Sequence, residues 1–522
     1  MGLYYGFKER HSKILQMKNK YILLVLLCTC LSYMGQSQTA IDALRYSELL
    51  PSGTARMVGV GGAMSSLGGD MGSLSLNPAG VAVYRKSEFN LSPAIQFTSV
   101  GSSLNDGAEF DENKAKFGIE NIGLVFYKGY NNKKLQSFNF GVTLNRVTNF
   151  NRTTTYEGTT PGSIINGFQE SAQGLFNTDL EGFTSGVAAD AGAIFILDGD
   201  QDNEWSSDFR DAFGTLFDFE SESIERKETI TTTGGVSDLA LTMGFNISHK
   251  LYIGIAGSFP IILYEETKRY EEDDSNTGAV PFFRNLGYDQ TVTTTGTGVS
   301  AKAGFIYRIT NEIRLGGAVH SPTRYSLSDE FSTSMQYFFI DGEGTSSQAL
   351  IDDEGLSPLG SFDYALMTPW RFSGGASVVL KKFGFVSLDV EYFDYSNQEY
   401  NFSTNGSTAE LRQAEDLVNN EISSTFSSAL NIKIGAEYLI KKFRLRAGYG
   451  RFASAFQDGT DARNVISFGA GIRGEKAYLD LAFRNTSSTE TYSPYTSPNQ
   501  FSQEVTSNIG TNNLIMTFGY RF

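Results

Sequence analysis

Residues able to perform covalent chemistry are scarce in this sequence. Past residue 37 there is no cysteine, and of three histidines only His249 and His320 remain. A hydrolytic pair of His320 with Ser321 would need an orienting acid and a nucleophile positioned by the fold, which adjacency in sequence does not supply. Gly59-Val60-Gly61-Gly62 has the glycine density of a phosphate loop, but no strand precedes it and no carboxylate follows at the distance a dinucleotide fold needs. Close backbone packing accounts for those glycines more simply. The run Asp198-Gly199-Asp200-Gln201-Asp202-Asn203-Glu204 opens like a calcium loop, then puts Asn203 where glycine is needed and Phe209 where a bidentate glutamate belongs. It reads as a solvated acidic loop. The expectation is a protein that is not an enzyme and carries no metal or cofactor.

What remains is charge with a direction. Lys302, Arg308, Arg314, Arg444, Arg446 and Arg473 occupy the polar side of segments that alternate with period two, the side that also carries Asp389, Glu391, Glu437 and Asp480. A guanidinium matches a carboxylate in bidentate geometry, so basic residues facing a lumen could hold a substrate carboxylate. Equally, they could neutralise the acids beside them. Both readings require a wall that turns one face inward.

The alternation supplies that wall. Phe138, Phe140, Val142 and Leu144 face one way and Asn139, Gly141, Thr143 and Asn145 the other, and the same rhythm holds from Leu239 to Ile247 and from Leu430 to Tyr438. One face is apolar throughout while the other mixes glycine with charge, which suits lipid outside and a filled or wet lumen inside. Composition agrees: 40 Phe, 26 Tyr and 55 Gly beside 11 Pro favour many strands and tight turns. The spacing predicts strands over 88–100, 118–128, 136–149, 236–248, 250–264, 289–309, 312–330, 365–380, 383–395, 425–440, 442–452, 463–473, 476–486 and 511–522, fourteen in all. Connections near 134, 249, 310, 381, 441 and 474 are tight, and the others include long ones at 150–235, 265–288, 331–364, 396–424 and 487–510. Short periplasmic turns and long external loops place both chain ends in the periplasm. Lys133-Lys134, Lys381-Lys382 and Lys441-Lys442 would keep three of the tight turns out of the bilayer.

The amino-terminal region divides again. Lys18 and Lys20 precede the apolar run 21–31, too short for a span, and Gly35-Gln36-Ser37 offers small residues to a signal peptidase. Residues 1–16 then read as upstream read-through, 17–37 as a signal peptide, 38–87 as a plug or hatch, and 88–522 as the barrel. Removing the signal region takes away five basic residues and one acidic one, which deepens a net charge that is already -16. Such a balance offers nucleic acid no electrostatic footprint. The last strand, Leu514 to Phe522, sets Leu514, Met516, Phe518, Tyr520 and Phe522 toward lipid, and its terminal aromatic would engage the machinery that assembles outer-membrane barrels. A monomer is expected.

The glycine-rich stretch ending Asn77-Pro78-Ala79-Gly80, the fourteen strands and the aromatic carboxy-terminus resemble the FadL-like long-chain fatty acid transporters of Gram-negative outer membranes, with weaker support from His320-Ser321-Pro322 and Thr368-Pro369-Trp370-Arg371-Phe372. The resemblance implies an all-β, fourteen-stranded antiparallel transmembrane barrel in the outer membrane, with 38–87 as a hatch in its lumen. It further implies passive transport of fatty acids or other hydrophobic molecules, which leave sideways through a gap made by a kinked third strand. Here continued alternation would put Arg146 in lipid, so a kink near Asn145 and Arg146 would return the charge to the lumen. A strand that emerges from the bilayer at Arg146 is the other reading. Two other roles stay open: a surface receptor, for instance for haem with His320 as a ligand, and a scaffold or shuttle partner of a secretion system.

Overall fold

The computed structural model describes residues 38–50, 52–131, 134–197, 201–209, 224–275, 280, 282–340, 350–495 and 503–522. The signal region with both cysteines, Lys133 and Asp198 to Asp200 lie outside the described residues.

Alternation of apolar and small or polar residues becomes a ring of fourteen antiparallel strands. They are β1 (Glu88–Leu104), β2 (Phe110–Gly129), β3 (Leu135–Asn149, continuing as Arg152–Thr160), β4 (Ile224–Ile247), β5 (Leu251–Asp273), β6 (Phe283–Arg308) and β7 (Ile313–His320, then Arg324–Ile340). There follow β8 (Leu350–Leu356, Gly360–Met367 and Arg371–Leu380), β9 (Gly384–Asp394, with Glu399–Asn401), β10 (Ser428–Ile440), β11 (Phe443–Phe452), β12 (Arg463–Arg473), β13 (Ala477–Tyr492) and β14 (Val505–Arg521). The ring closes where β14 pairs with β1 from Arg521↔Glu88 to Leu104↔Val505. Closure removes the free edges that an open sheet would expose.

The outer face is a belt of exposed Leu241, Met243, Phe245, Ile253, Ile255, Leu514, Met516 and Phe518, while Thr242, Asn246 and Thr517 between them are buried in the lumen. An apolar belt around a closed antiparallel ring defines a transmembrane barrel of the outer-membrane type. Ser248, His249, Lys381 and Lys441 sit in tight hairpins with φ of 54°, 56°, 27° and 53°.

Each expected strand overlaps an observed one, with ends that differ by up to three residues at the tight turns and at Ser428, but the loops are shorter than predicted. β4 and β5 stay paired from Val236↔Ile262 outward to Glu225↔Asp273, well into the segments 150–235 and 265–288. β6 and β7 do the same, out to Phe283↔Phe339, and β8 pairs with β7 within 331–364. β13 and β14 run on to Tyr492↔Val505 inside 487–510. Beyond the membrane both sheet faces meet water or other loops, so stretches such as Glu228-Thr229-Ile230-Thr231-Thr232-Thr233 keep β propensity without the lipid–lumen alternation. β7 and β8 are interrupted next to prolines. Pro322 and Pro369 lack an amide hydrogen, and at these breaks the Thr323 and Thr368 amides bond across to Thr368 Oγ1 (2.9 Å) and Thr323 O (3.0 Å).

The lumen is filled by the chain's own start. Helix α1 (Ala40–Ser47) is opened by a capping box between Thr39 and Asp42, and the short α2 (Ala55–Gly59) by the Thr54 side chain. Two 3₁₀ turns follow, Gly72–Ser75 and Pro78–Val83. Wall glycines make room for this hatch: a side-chain carbon at Gly254 would come within 2.3 Å of Ala79 N, and one at Gly448 within 2.1 Å of Gly61 N. Backbone therefore lies directly on backbone, as small residues permit.

Candidate functional site

Asn77 is the organising residue of the hatch. Its Oδ1 accepts from the Ala79 amide (3.0 Å), starting the Pro78–Val83 turn, while its Nδ2 donates to Ser65 O (2.7 Å) and to Phe305 O of β6 (3.0 Å). Asn77, Pro78, Ala79 and Gly80 are all buried. The motif is thus a capped 3₁₀ turn pinned to the wall from inside. The link to β1 comes later, over Tyr84 to Ser87. Around it, Asp389 accepts from the Ser65 amide and hydroxyl (2.7 Å each), Asn139 Nδ2 donates to Val81 O (2.7 Å) and Tyr84 O (3.0 Å), and Arg56 pairs with Glu437 (3.3 Å). His320 contributes too, with Nε2 2.8 Å from Leu76 O. It thereby faces the hatch, and its neighbour Ser321 bonds to Pro322 O and the Ala301 amide.

The wall is discontinuous beside the hatch. Ladder pairing between β2 and β3 ends at Asn121↔Asn145, and β3 shifts register against β4 between Arg146 and Thr148. Past that point β2 pairs only with β1 and β3 only with β4. The outer part of β3 leans inward: Tyr156 packs with Leu104 of β1 and Val505 of β14 on their inner faces, and Thr155 Oγ1 donates to Glu112 Oε1 (2.9 Å). On the β2 side of the break Phe117 and Ile119 are exposed and Gly118 opens onto free space. Its inner side is lined by the hatch, since Ser52 Oγ donates to Arg146 O and Thr148 Oγ1 to Glu48 O (2.9 Å). Asn145 also accepts from Asn121 Nδ2. Glu48 in turn pairs with Arg463 (2.8 Å) beside Asp461, and burial pushes both carboxyls above their ordinary range despite the guanidinium.

Above the hatch lies an aromatic cluster that the sequence did not reveal. Ala43, Leu44 and Tyr46 of α1 pack among Tyr264, Tyr325, Tyr364, Tyr400 and Phe402, roofed by Val418 and Ile422 of a helix, Ala409–Thr425, within the expected loop 396–424. These aromatics come from strand extensions far apart in sequence, so only the closed ring brings them together. A second external cluster forms from 164–209 against Tyr288, Met335 and Tyr337, and Phe209, the last position of the calcium-like run, is fully buried in it.

The six candidate basic residues separate into groups. Lys302 is paired with Asp238 (2.7 Å) in mid-wall. Arg446 bridges Glu437 (2.7 Å) and Asp480 (2.8 Å), with Arg473 3.8 Å from Asp480, so these act first as internal neutralisers. Arg308, Arg314 and Arg444 lie toward the tight turns, where Arg308 donates to His249 O and Asn311 Oδ1, Arg314 to Leu67 O and Arg444 to Lys442 O.

No protein-family model matches the sequence, and no curated protein does. Among solved structures, the chain is similar to a Pseudomonas aeruginosa FadL homologue at 11% identity, covering 91% of this chain and 99% of that one with a TM-score of 0.52. It is also similar to the P. putida toluene transporter TodX at 13% identity, again over 91% and 99%, with a TM-score of 0.50. The fold is that of the FadL-like barrels.

Proposed function

We propose that this chain, exported by its signal peptide, resides in the outer membrane as a passive transporter of hydrophobic small molecules, long-chain fatty acids among them. A solute is captured by apolar surface of the external lobes, passes the aromatic cluster, and leaves sideways between β2 and β3 into the bilayer. The observation that carries this reading is the loss of β2–β3 pairing beyond Asn121↔Asn145 beside the hatch. Neighbouring strands of a barrel normally satisfy each other's backbone, so an interruption facing lipid implies a use. A simple aqueous pore would need no filling of this kind.

Labelled laurate and toluene uptake by cells lacking the protein, with and without the wild-type gene, tests transport itself. The route is tested by Gly118→Cys, since the only cysteines of the sequence lie in the first 37 residues. A bulky maleimide on that thiol should block uptake while leaving the unmodified variant active. Undiminished uptake after full labelling refutes the lateral route, and wild-type uptake in the deletion strain refutes transport.

A further inference from the structure

One cavity of the barrel lies at the opposite end from the aromatic cluster. It has a volume of about 450 Å³, among the tight turns below the hatch, and its apolar lining comes from Leu67 and Val83 of the hatch and Val379, Phe385 and Leu439 of the wall. Its charged lining is unbalanced. Six cations, Arg56, Arg85, Lys86, Arg314, Lys381 and Arg521, face two acids, Glu88 and Glu437. Both acids are already engaged: Glu88 accepts from Arg521 (2.8 Å) and Tyr478 (2.8 Å), and Glu437 from Arg446 (2.7 Å) with Arg56 at 3.3 Å. Lys381 has only the exposed Glu312 at 3.5 Å.

Arg314 and its neighbours are therefore in excess. Arg314 donates one Nη1 bond to Leu67 O (3.3 Å), and its buried Nε has no partner among the described residues. Arg85 and Lys86 are exposed at the rim with no carboxylate in ion-pair range among the described residues. A cleft of one sign between low-dielectric walls concentrates the opposite charge, here in a protein whose overall charge is -16. The apolar floor below a cationic rim fits one ligand chemistry, and the volume falls within the usual range for small-molecule sites.

We infer that this vestibule binds an amphiphile with one anionic head and one apolar chain, the head on Arg314 and Arg85 and the chain against Leu67, Val83 and Phe385. The site goes beyond lateral delivery into the bilayer. It would be a periplasmic holding site for the anionic form of a single-chain lipid, reached from the side where the tight turns lie.

The test uses the full barrel in nanodiscs of zwitterionic lipid and a twelve-carbon carboxylate carrying a diazirine at its chain end. Cross-links mapped by peptide mass spectrometry should fall on the hatch near Leu67 and Val83 and on the wall near Val379 and Phe385. The matching alcohol should label there at most one tenth as much. Arg314→Gln and the surface change Arg85→Gln should each cut vestibule labelling about tenfold, as expected for one charge-assisted hydrogen bond. Displacement by laurate alone identifies a fatty carboxylate as ligand, and displacement by dodecyl phosphate as well identifies single-chain anions generally. Labelling confined to the external aromatic cluster, displacement by acetate at equal concentration, or labelling unchanged in both variants overturns the inference. Each of those results leaves the uptake measurement above untouched.

Discussion

Asn77→Asp isolates what pins the hatch. The substitution keeps Oδ1 as acceptor for the Ala79 amide, so the Pro78–Val83 turn stays capped, but replaces the Nδ2 donor by an acceptor facing Ser65 O (2.7 Å) and Phe305 O (3.0 Å). Two hydrogen bonds worth about 1 kcal/mol each are lost, and two buried carbonyls are left facing a third oxygen at about 1 kcal/mol or more apiece. The anchorage of the hatch should weaken by roughly 3–4 kcal/mol, which is a shift of at least about a hundredfold in the population with the hatch displaced. Ser75→Cys reports that population, because Ser75 is buried in the closed barrel with its hydroxyl donating to Gly72 O (2.7 Å). In the Ser75→Cys background, adding Asn77→Asp should speed modification by a small charged thiol reagent about a hundredfold, and planar bilayers should show new conductance. Labelling and conductance equal to the parent would refute the claim that Asn77 holds the hatch, and would transfer the role to the contacts of Asp389 and Arg56.

Two further outcomes follow from the geometry. Gly254→Ala drives a methyl to 2.3 Å from Ala79 N and Pro78 C, and should cost about 1–3 kcal/mol of overpacking, visible as a lower temperature for loss of the compact band on heat-modifiability gels. Because burial raises the Glu48 carboxyl, the folded state binds more protons than the unfolded chain as pH rises past the ordinary glutamate value of about 4.3, so its contribution to stability falls with rising pH. Glu48→Gln should flatten that dependence, measured as the difference in melting temperature between pH 5 and pH 7, and an identical slope in both proteins would refute it.

The wall was legible in the sequence because lipid and lumen impose opposite demands on alternate residues, and the row Leu514, Met516, Phe518, Tyr520 shows those demands without interference. Where they cease, so does the signal. The threonine-rich outer halves of β4 and β6 are β-sheet for reasons of pairing with neighbours far along the chain, and α1, the helix Ala409–Thr425 and the aromatic cluster between them exist only through closure. Arg146 marked the third strand as irregular, but nothing local to β2 announces that its outer half has a single ladder partner. Lys302 and Arg446 are buried in pairs with Asp238 and Glu437, and which cations are neutralised and which are surplus depends on distances between strands that no spacing encodes.

The contacts of the wall glycines carry a consequence for biogenesis. With hatch backbone lodged against Gly254 of β5 and Gly448 of β11, and the Asn77 side chain against Gly304 of β6, no finished barrel could admit it by threading. The segment must be in place before the last seam zips, and that seam joins β1, which follows the hatch directly, to β14, the fourteenth strand of the ring, with the Phe522 amide closing on Ser87 O at 3.0 Å. Cylinder and filling are therefore a single folding event. A chain shorn of residues 38–87 would lack the template around which its circumference is drawn.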